Sequence, residues 1–322
     1  MLTGATGFIG SHIAERLIKN KIVTHLFVRR RNSLIDSFEK MGAKIYVARP
    51  DNLKILKKSL KTADVVIHCA GATKALRKKD YIGANVEFTT NILHLLNQQQ
   101  KIIFISSQAA AGPSNPFIPI DEETQPNPLT DYGKSKLLAE RHIRKWGQES
   151  RNNYAILRPS VVYGPRERDL YQAFKLVKRG LHVFLGSGNI KLSLIHVIDL
   201  VEAIMTAAET PSTGNTYFVT DDATYTWEEI GTSIKRAFNK KHLFNIKIPI
   251  SICHPLVFLF DYCSLISGKP SIINRQKLIE MKQSAWLCSN SKIKEDLRWK
   301  PKISLEKGIK QTVDWYIGEG WI

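Results

Sequence analysis

The sequence predicts an α/β protein in which a doubly wound parallel sheet is followed by a smaller, mixed C-terminal lobe. Two observations support this fold class. In the first half of the chain, short β-rich runs alternate with amphipathic runs, which is typical of a parallel sheet with right-handed crossovers. Beyond Arg158 this alternation loosens, and several prolines break the remainder into short segments. We therefore expect a first domain over residues 1–165 and a substrate-binding lobe over 166–322, some elements of which return to the main sheet.

The predicted elements follow one another at short intervals. β-branched and aromatic residues predict strands over 23–28, 43–47, 64–69, 101–107 and 154–158. Apolar residues at helical spacing predict helices over 9–18, 53–60, 81–99 and 131–151. In the second half we predict a helix over 199–209, a strand over 216–219 and a helix that starts at a capping box formed by Thr226 and Glu229.

The predicted first strand is short. A central strand of a parallel sheet has about five residues, but only Met1 and Leu2 precede Thr3. We therefore expect the first strand to be truncated and the natural chain to begin upstream of Met1.

A glycine-rich stretch stands where the first strand turns into the first helix. Its spacing is GxxGxxG, and glycine is needed where such a turn is sharp and a pyrophosphate approaches the backbone closely. The free N–H groups and the positive dipole end of the helix then attract phosphate. The alternative is an ordinary glycine-rich turn. On the first interpretation, the residues that contact a dinucleotide here are Gly4, Thr6, Gly7, Phe8, Ile9 and Gly10.

The end of the second strand bears on which dinucleotide is bound. An acidic residue at this point holds the ribose hydroxyls of NAD, whereas an arginine accommodates the extra phosphate of NADP. Arg29 and Arg30 stand there, and the first acid downstream is Asp36. We therefore expect NADP in preference to NAD. The alternative is that the two arginines belong to a solvated basic surface.

Tyr132 and Lys136 are the strongest catalytic candidates. They stand four residues apart in the first turns of a predicted helix, so their side chains project from one face. A phenol with a pKa of about 10 is a poor acid or base at neutral pH unless a cation stabilises its phenolate. Lys136 can supply that cation and can also hold a cofactor ribose. Ser107 ends a predicted strand, where ligands of open α/β sheets bind, and can orient a substrate oxygen. Together these residues predict interconversion of a carbinol and a carbonyl, with Tyr132 as general acid or base and a nicotinamide as hydride carrier.

The charge and the cysteine content indicate which partners and which kinds of site to expect. The net charge of +18 favours anionic cofactors or an anionic lipid surface. The basic clusters are scattered and no nucleic-acid-binding module is recognisable, so we expect no specific nucleic acid partner. The four cysteines show neither metal-ligand nor disulfide-framework spacing; we therefore predict no metal site and a reducing, cytoplasmic location.

One apolar segment, 248–266, has three interpretations. Prolines and an aspartate interrupt it, which makes it a poor membrane span. It is a candidate lining for an apolar substrate pocket, a segment that lies flat on a membrane, or a buried helix of the second lobe.

Taken together, the motifs resemble those of the extended short-chain dehydrogenases/reductases, in the family called NAD-dependent epimerase/dehydratase. The matching stretches, in family order, are TGATGFIG, HCAG, ISSQAAAG, YGKSK, RPSVVYGP and LIHVIDL, and the match covers almost the whole chain. The resemblance implies a Rossmann-type sheet and a catalytic triad of Ser107, Tyr132 and Lys136, with Asn85 supporting Lys136 through an ordered water. It implies a homodimer formed through the helices that carry Asn85 and Tyr132. Besides Tyr132 and Lys136, it implies cofactor contacts for Ala70, Gly71, Arg158, Pro159 and Val162.

Departures from the family pattern narrow the chemistry. Gln108 and Ala109 stand where sugar dehydratases have an Asp-Glu pair, which disfavours dehydration. Region 186–195 offers only Lys191 as a base where epimerases commonly hold a diphosphate with arginine. Arg49 takes the place of an aspartate that contacts adenine, with Asp51 as a shifted candidate, which puts the adenine contacts in doubt.

These departures favour a reductase similar to dihydroflavonol-4-reductases and 3β-hydroxysteroid dehydrogenases, which act on apolar, often cyclic carbonyls. We therefore predict an oxidoreductase that uses NADP, or else NAD, on a small apolar alcohol or ketone, with peripheral membrane contact as a further expectation. Two alternatives stay open. One is a redox-neutral sugar epimerase with tightly held NAD, and the other is a non-catalytic NADP-binding subunit.

Overall fold

The computed structural model describes residues 1–150, 153–185, 188–211, 214–249 and 274–322, together with Ile252, Val257, Ser264, Ser267 and Gly268. At its centre is a seven-stranded sheet whose neighbouring strands all run parallel. In spatial order the strands are β10 (Asn215–Val219), β6 (Tyr154–Pro159), β5 (Lys101–Ile105), β4 (Val65–His68), β1 (Leu2–Thr3), β2 (His25–Val28) and β3 (Lys44–Val47). The predicted fold class, a doubly wound Rossmann-type α/β sheet, is confirmed.

Helices flank this sheet. Those of the first half are α1 (Phe8–Lys19), α2 (Ser33–Lys40), α3 (Leu53–Leu60), α4 (Lys78–Tyr81), α5 (Phe88–Leu95) and α6 (Asp131–Ser150), with a 3₁₀ turn at Gln108–Ala110. Those of the second half are α7 (Tyr171–Lys178), α8 (Val197–Glu209), α9 (Trp227–Ala237), α10 (Arg275–Met281), α11 (Ser291–Leu297) and α12 (Leu305–Gly318).

The predicted bounds differ from the observed ones by one or two residues, with one exception. Residues 81–99, predicted as a single helix, divide into the end of α4, a π-helical segment at Ile82–Glu87, and α5. α5 ends at Leu95 because Leu96 adopts an extended backbone, with φ −75° and ψ 145°. The predicted capping box is present, since Thr226 and Glu229 each accept a bond from the other's backbone N–H.

β1 has only two residues, as short as the sequence predicts, yet it lies at the centre of the sheet. Leu2 pairs with Leu26 of β2 on one side and with Ile67 of β4 on the other. The amino group of Met1 donates to the carbonyl of Val65 at 2.7 Å, and burial lowers the pKa of that amino group to about 6. The strand order reverses at β1, and the crevice outside the carboxyl ends of the strands at such a reversal is where ligands bind.

Two apolar cores support the sheet. One includes Ile13 of α1 and Ile204 of α8, and the other includes Leu56 of α3, Ile92 of α5 and Ile143 of α6. β5 is buried along its whole length, which explains why it reads in the sequence as a continuous apolar run rather than an alternating one.

The second half of the chain contributes one strand to the main sheet and forms two smaller sheets. β10 pairs with β6 at the edge of the main sheet. In the first small sheet, β9 (Lys191–His196) pairs with β11 (Thr224–Thr226), β13 (Ala285–Trp286) and β7 (Val161–Tyr163). In the second, β8 (Leu181–Leu185) pairs with β12 (Phe244–Ile248). The return of β10 agrees with the expectation that elements of the second lobe rejoin the first.

Most of the apolar segment 248–266 lies outside the described residues, so its three interpretations stay open. Of the helices that are described, none combines the length and the apolar composition needed to span a bilayer.

Candidate active site

The glycine-rich stretch forms a tight turn between β1 and α1. Gly4 has φ +82°, and a Cβ there would lie 2.7 Å from the backbone nitrogen of Ala70. A Cβ on Gly10 would lie 2.1 Å from the carbonyl oxygen of Gly4. α1 begins directly at Phe8, with no acidic residue in its first turn and no side chain capping its N–H groups. The first N–H groups of a helix have no intrahelical partner, so this donor set fits the pyrophosphate of a dinucleotide.

A Gly10→Ala variant tests this packing. We expect it to lower the melting temperature and to abolish any thermal shift on addition of NAD or NADP, because the added methyl group would displace the backbone of the turn. Gly318→Ala, at the end of α12, is the matched control, since nothing lies within 4 Å of a Cβ there. Thermal unfolding with and without NADP provides both readouts. A Gly10→Ala protein that keeps the NADP-induced shift of the wild type would show that binding does not depend on this close approach.

Ser107 and Tyr132 meet at the carboxyl edge of the sheet. Ser107 follows β5, and its hydroxyl oxygen accepts a bond from the N–H of Ala109 at 3.1 Å. Tyr132 lies in the first turn of α6, and its phenol interacts with the side chain of Ser107, which favours the ionised form and so lowers the phenol's pKa. The Tyr132 ring lies beside Tyr81, with 6.4 Å between the ring centroids. The structure therefore brings together the two side chains that the sequence analysis assigned to the substrate oxygen.

Lys136 lies one turn further along α6, on the inner side of the helix. Its side chain is buried, with the residue only 3% exposed, and its ammonium donates to the carbonyl of Ile105 at 2.8 Å. The ammonium lies 4.7 Å from the centroid of the Phe104 ring. A Cβ on Gly71 would come within 3.2 Å of it. Burial lowers the pKa of Lys136 to about 8, partly opposed by Cys69 and Glu140.

The groups around Tyr132 raise the pKa of its phenol. Burial raises this pKa above its ordinary value, and the side chain of Ser107 offsets the effect only in part. The remaining influences, among them that of Glu280, raise the pKa further. The sequence predicts that Lys136 and the positive charge of an oxidised nicotinamide together favour the phenolate, and this stays a prediction for the site with its cofactor bound.

Asn85 connects the loop after β4 to α6 by hydrogen bonds. It lies in the π-helical segment, and its side-chain oxygen accepts from the N–H of Ala72 at 2.7 Å. Its amide donates to the carbonyl of Ala72 at 3.1 Å and to the hydroxyl of Ser135 at 2.8 Å. Its side-chain oxygen and the ammonium of Lys136 both border Gly71. Asn85 therefore holds the loop of Ala70 and Gly71 against the helix that carries Tyr132 and Lys136.

His68, which the sequence analysis did not select, connects this loop to β1. Its Nδ1 lies 2.7 Å from the hydroxyl of Thr3, and its Nε2 lies 3.0 Å from the hydroxyl of Thr89. The Thr89 hydroxyl donates to the carbonyl of Asn85, so it accepts from His68, which assigns the proton to Nε2. The Thr3 hydroxyl oxygen accepts from the N–H of Ala70 and therefore donates to Nδ1. Burial, reinforced by Lys136, lowers the pKa of His68 to about 3, so the imidazole is neutral. The available signal was the HCAG motif, which was interpreted only through its small residues.

Arg158, which the resemblance implies lies beside the nicotinamide, has its guanidinium engaged within the protein. Its guanidinium forms a two-point bond with the buried carboxylate of Glu140 on α6, at 2.9 and 2.7 Å. The residue is only 1% exposed. The same carboxylate accepts from Ser106 at 2.6 Å and from Arg144 at 2.9 Å. This buried network fixes α6 to the ends of β5 and β6.

The remaining predicted cofactor residues lie around the crevice. Arg29 and Arg30 directly follow β2 and are exposed, and neither forms an ion pair within the described part of the chain. Arg31, by contrast, is held by Asp36 and Glu39. Pro159 ends β6 and is buried, and Val162 in β7 is half-buried. The two candidates for the adenine contact, Arg49 and Asp51, are exposed after β3 and lie 3.5 Å from each other.

Two polar groups at the same edge have no hydrogen-bond partner in the described structure. They are the side-chain nitrogen of Gln108, directly after Ser107, and the hydroxyl of Ser160, directly after β6. Because burying an unpaired polar group is costly, both are available to a polar atom of a ligand.

Comparison with known proteins places these features in a family. A model of the NAD dependent epimerase/dehydratase family matches residues 1–219. A putative UDP-glucose 4-epimerase from Methanocaldococcus jannaschii is 30% identical over 337 residues, covering 98% of this chain and 97% of the relative. A decarboxylating sterol-4-alpha-carboxylate 3-dehydrogenase from Saccharomyces cerevisiae is 27% identical over 349 residues, covering 98% and 97%. Among solved structures, a UDP-glucuronic acid 4-epimerase from Bacillus cereus in complex with NAD shares the fold, with a TM-score of 0.79 and 21% identity over 99% of this chain and 98% of that one.

Proposed function

This chain belongs to the NAD dependent epimerase/dehydratase family, and we propose that it is an NADP(H)-linked oxidoreductase. It interconverts a secondary alcohol and a ketone. The observation that carries this proposal is that Ser107, after β5, influences the pKa of Tyr132, while Lys136 stands one turn further along α6 with its ammonium bonded to the carbonyl of Ile105 at the end of the same strand. A protein that only binds a nucleotide has no need for a phenol held in this way.

In this reaction three side chains of the protein have distinct roles. Ser107 donates a hydrogen bond to the substrate oxygen and aligns it with Tyr132. Tyr132 gives its proton to that oxygen during reduction and takes it back during oxidation. Lys136 holds the ribose of the cofactor and, together with the positive charge of an oxidised nicotinamide, favours the phenolate. A bound nicotinamide supplies or accepts the hydride. Burial raises the pKa of Tyr132, so the phenol carries the proton that ketone reduction requires, and the neighbouring positive charges stabilise the phenolate that remains after the proton is transferred.

The preference for NADP rests on Arg29 and Arg30, which are exposed at the end of β2. An Arg29→Ala/Arg30→Ala variant is expected to bind NADP about 10- to 100-fold more weakly, because bonds to a charged phosphate are lost. Binding of NAD should be unchanged. Thermal shift against concentration of each dinucleotide measures both affinities, and Lys40→Ala, an exposed lysine at the end of α2, is the control. Equal losses for NADP and NAD would contradict this role.

The proposed substrate is an apolar, cyclic carbonyl compound or the corresponding alcohol. Lys191, the base that stands where epimerases bind a diphosphate, donates to the carbonyl of Pro116 at 3.3 Å and lies 5.3 Å from the centroid of the Phe117 ring. It is therefore already engaged within the protein. The sterol dehydrogenase relative supports a cyclic, apolar substrate. The test is the absorbance of NADPH with a panel of cyclic apolar ketones, in which one NADPH should disappear for each alcohol formed.

A redox-neutral sugar epimerase is the second candidate, and the 30% identity to a putative UDP-glucose 4-epimerase favours it. Such an enzyme returns the hydride to the same substrate and therefore keeps its cofactor. Release of stoichiometric NAD from the denatured, purified protein would favour the epimerase, whereas purified protein that requires added NADPH would favour the reductase.

The domain organisation and the assembly remain part of the proposal. We place the boundary between the dinucleotide-binding domain and the substrate lobe at residue 165. We also propose a cytoplasmic homodimer formed through the helices around Asn85 and Tyr132, with peripheral membrane contact. Light scattering of the purified chain measures directly whether it is a dimer.

A further inference from the structure

A loop beside the candidate active site displays two large apolar side chains to solvent. The loop, residues 112–120, contains three prolines, and at its tip Phe117 is 84% exposed and Ile118 is 68% exposed. Exposed apolar residues that stand singly are ordinary on protein surfaces. An adjacent pair presented at this degree of exposure is not, and such pairs mark interaction surfaces.

The loop is held in place at both ends. The N–H of Ser114 donates to the carbonyl of Ala285 at 3.2 Å, and its hydroxyl accepts from the N–H of Leu287 at 2.8 Å. At the other end, Ile120 exchanges backbone bonds with Leu287 and Ser289, at 3.1 and 2.9 Å. Phe117 and Ile118 therefore cannot reach the protein interior by a simple rearrangement of a loose loop.

The loop also lies close to the proposed catalytic residues. It begins five residues after Ser107, and the carbonyl of Ala111 accepts from the N–H of Asn127 at 2.7 Å. The segment that fixes the loop, β13, follows α10, whose Gln276 exchanges two bonds with Asp131 at the start of α6. The ends of the loop are therefore tied to the segment that follows α10, and α10 is tied to the first turn of α6, which carries Tyr132.

Charge favours an anionic surface over a second protein of the same kind. The chain carries a net charge of +18, so two copies repel each other at long range, whereas an anionic bilayer attracts each copy. At the loop itself, the ammonium of Lys191 lies 5.3 Å from the Phe117 ring centroid. The exposed acids Asp121 and Glu123 follow the loop and oppose this attraction locally. Insertion must therefore come mainly from the apolar pair.

We infer that residues 112–120 dock the protein on an anionic membrane, with Phe117 and Ile118 inserted at the boundary between headgroups and acyl chains. This places the crevice of Tyr132 against the bilayer, so that an apolar ketone enters the site from the membrane. The route of entry rests on the proposed function; the docking itself does not. The occupant of this surface is the lipid bilayer.

Sedimentation with vesicles tests the docking without any substrate. The full chain is mixed with vesicles of phosphatidylcholine and phosphatidylglycerol, or of phosphatidylcholine alone. We expect the wild type to bind the anionic vesicles, and a Phe117→Asp/Ile118→Asp variant to bind them at least about tenfold more weakly. The control is Val23→Asp. Val23 is 86% exposed, but it precedes the amino end of β2, whereas the loop follows the carboxyl end of β5. Its replacement should therefore leave vesicle binding unchanged.

Three results would overturn the inference: wild type that does not sediment, a double variant that sediments like the wild type, and a double variant whose only change is its oligomeric state. A change of oligomeric state alone would show that Phe117 and Ile118 form an interface between copies of the chain. The NADP-induced thermal shift of the double variant confirms that it is folded. If no ketone oxidises NADPH but vesicle binding still depends on Phe117 and Ile118, the proposed function fails and the docking surface stands.

Discussion

A Tyr132→Phe variant is expected to oxidise NADPH roughly 10²- to 10⁴-fold more slowly than the wild type, while its affinity for NADP is unchanged. The substitution removes only the phenolic oxygen, whose pKa the side chain of Ser107 lowers, and keeps the ring beside Tyr81. Packing and the dinucleotide site are therefore preserved, and the lower rate reflects the loss of the proton donor. Initial rates with a cyclic ketone measure the first effect, and the NADP thermal shift measures the second.

Tyr81→Phe is the matched control for this experiment. Tyr81 is a buried phenol whose ring centroid lies 6.4 Å from that of Tyr132, but it has no bond to Ser107 in the described structure. We expect it to keep most of the activity. Full turnover by Tyr132→Phe, or an equal loss in Tyr81→Phe, would contradict the assignment of Tyr132 as the proton donor.

A Glu140→Gln variant is expected to lose about 3–5 kcal/mol of the free energy of unfolding, because it removes one partner of a buried ion pair. Arg158 has no access to water to compensate for the lost carboxylate, and its guanidinium keeps only a neutral oxygen to bond. Urea unfolding followed by circular dichroism provides the measurement. The NADP response should fall as well, because the network positions the helix that carries Tyr132 and Lys136.

Two further variants separate the charge from the packing. Arg144→Ala removes a partner of the same carboxylate whose side chain is about one third exposed, and partly exposed pairs contribute about 1 kcal/mol or less. A paired Glu140→Leu/Arg158→Met variant should recover part of the loss, since no unpaired charge is left buried. If Glu140→Gln costs no more than Arg144→Ala, the buried pair does not fix α6.

The features that the sequence predicted are those set by local spacing. The glycine turn at Gly4 and Gly10, the shared face of Tyr132 and Lys136, and the capping box at Thr226 each depend on residues within seven positions of one another. The fold class followed from the alternation of strands and helices. The catalytic roles of Ser107, Tyr132 and Lys136 stay predictions, because geometry brings the groups together without showing that they react.

The features that the sequence did not predict depend on which element packs on which. Arg158 of β6 bonds to Glu140 of α6, 18 residues earlier in the sequence, and this pairing depends on the packing of the helix against the strand. The proton position on His68 follows from two threonines that are 65 and 21 residues away in the sequence. The pKa of Tyr132 depends on a balance between burial and charge, and the YGKSK motif does not indicate how deeply its tyrosine is buried. The π-helical segment around Asn85 likewise has no periodicity distinct from that of an α-helix.

The most direct test of the central claim follows hydride from cofactor to product. The purified protein is incubated with NADPH that carries deuterium at the reactive carbon of its nicotinamide, together with a cyclic apolar ketone, and the alcohol is examined by mass spectrometry. With both hydrogens of that carbon replaced by deuterium, hydride transfer at the Tyr132 site predicts one deuterium at the carbinol carbon for each NADPH consumed, and a rate of label transfer roughly 10²- to 10⁴-fold lower with Tyr132→Phe. A substrate that is converted to its epimer with no deuterium gained and no NADPH consumed would contradict the account.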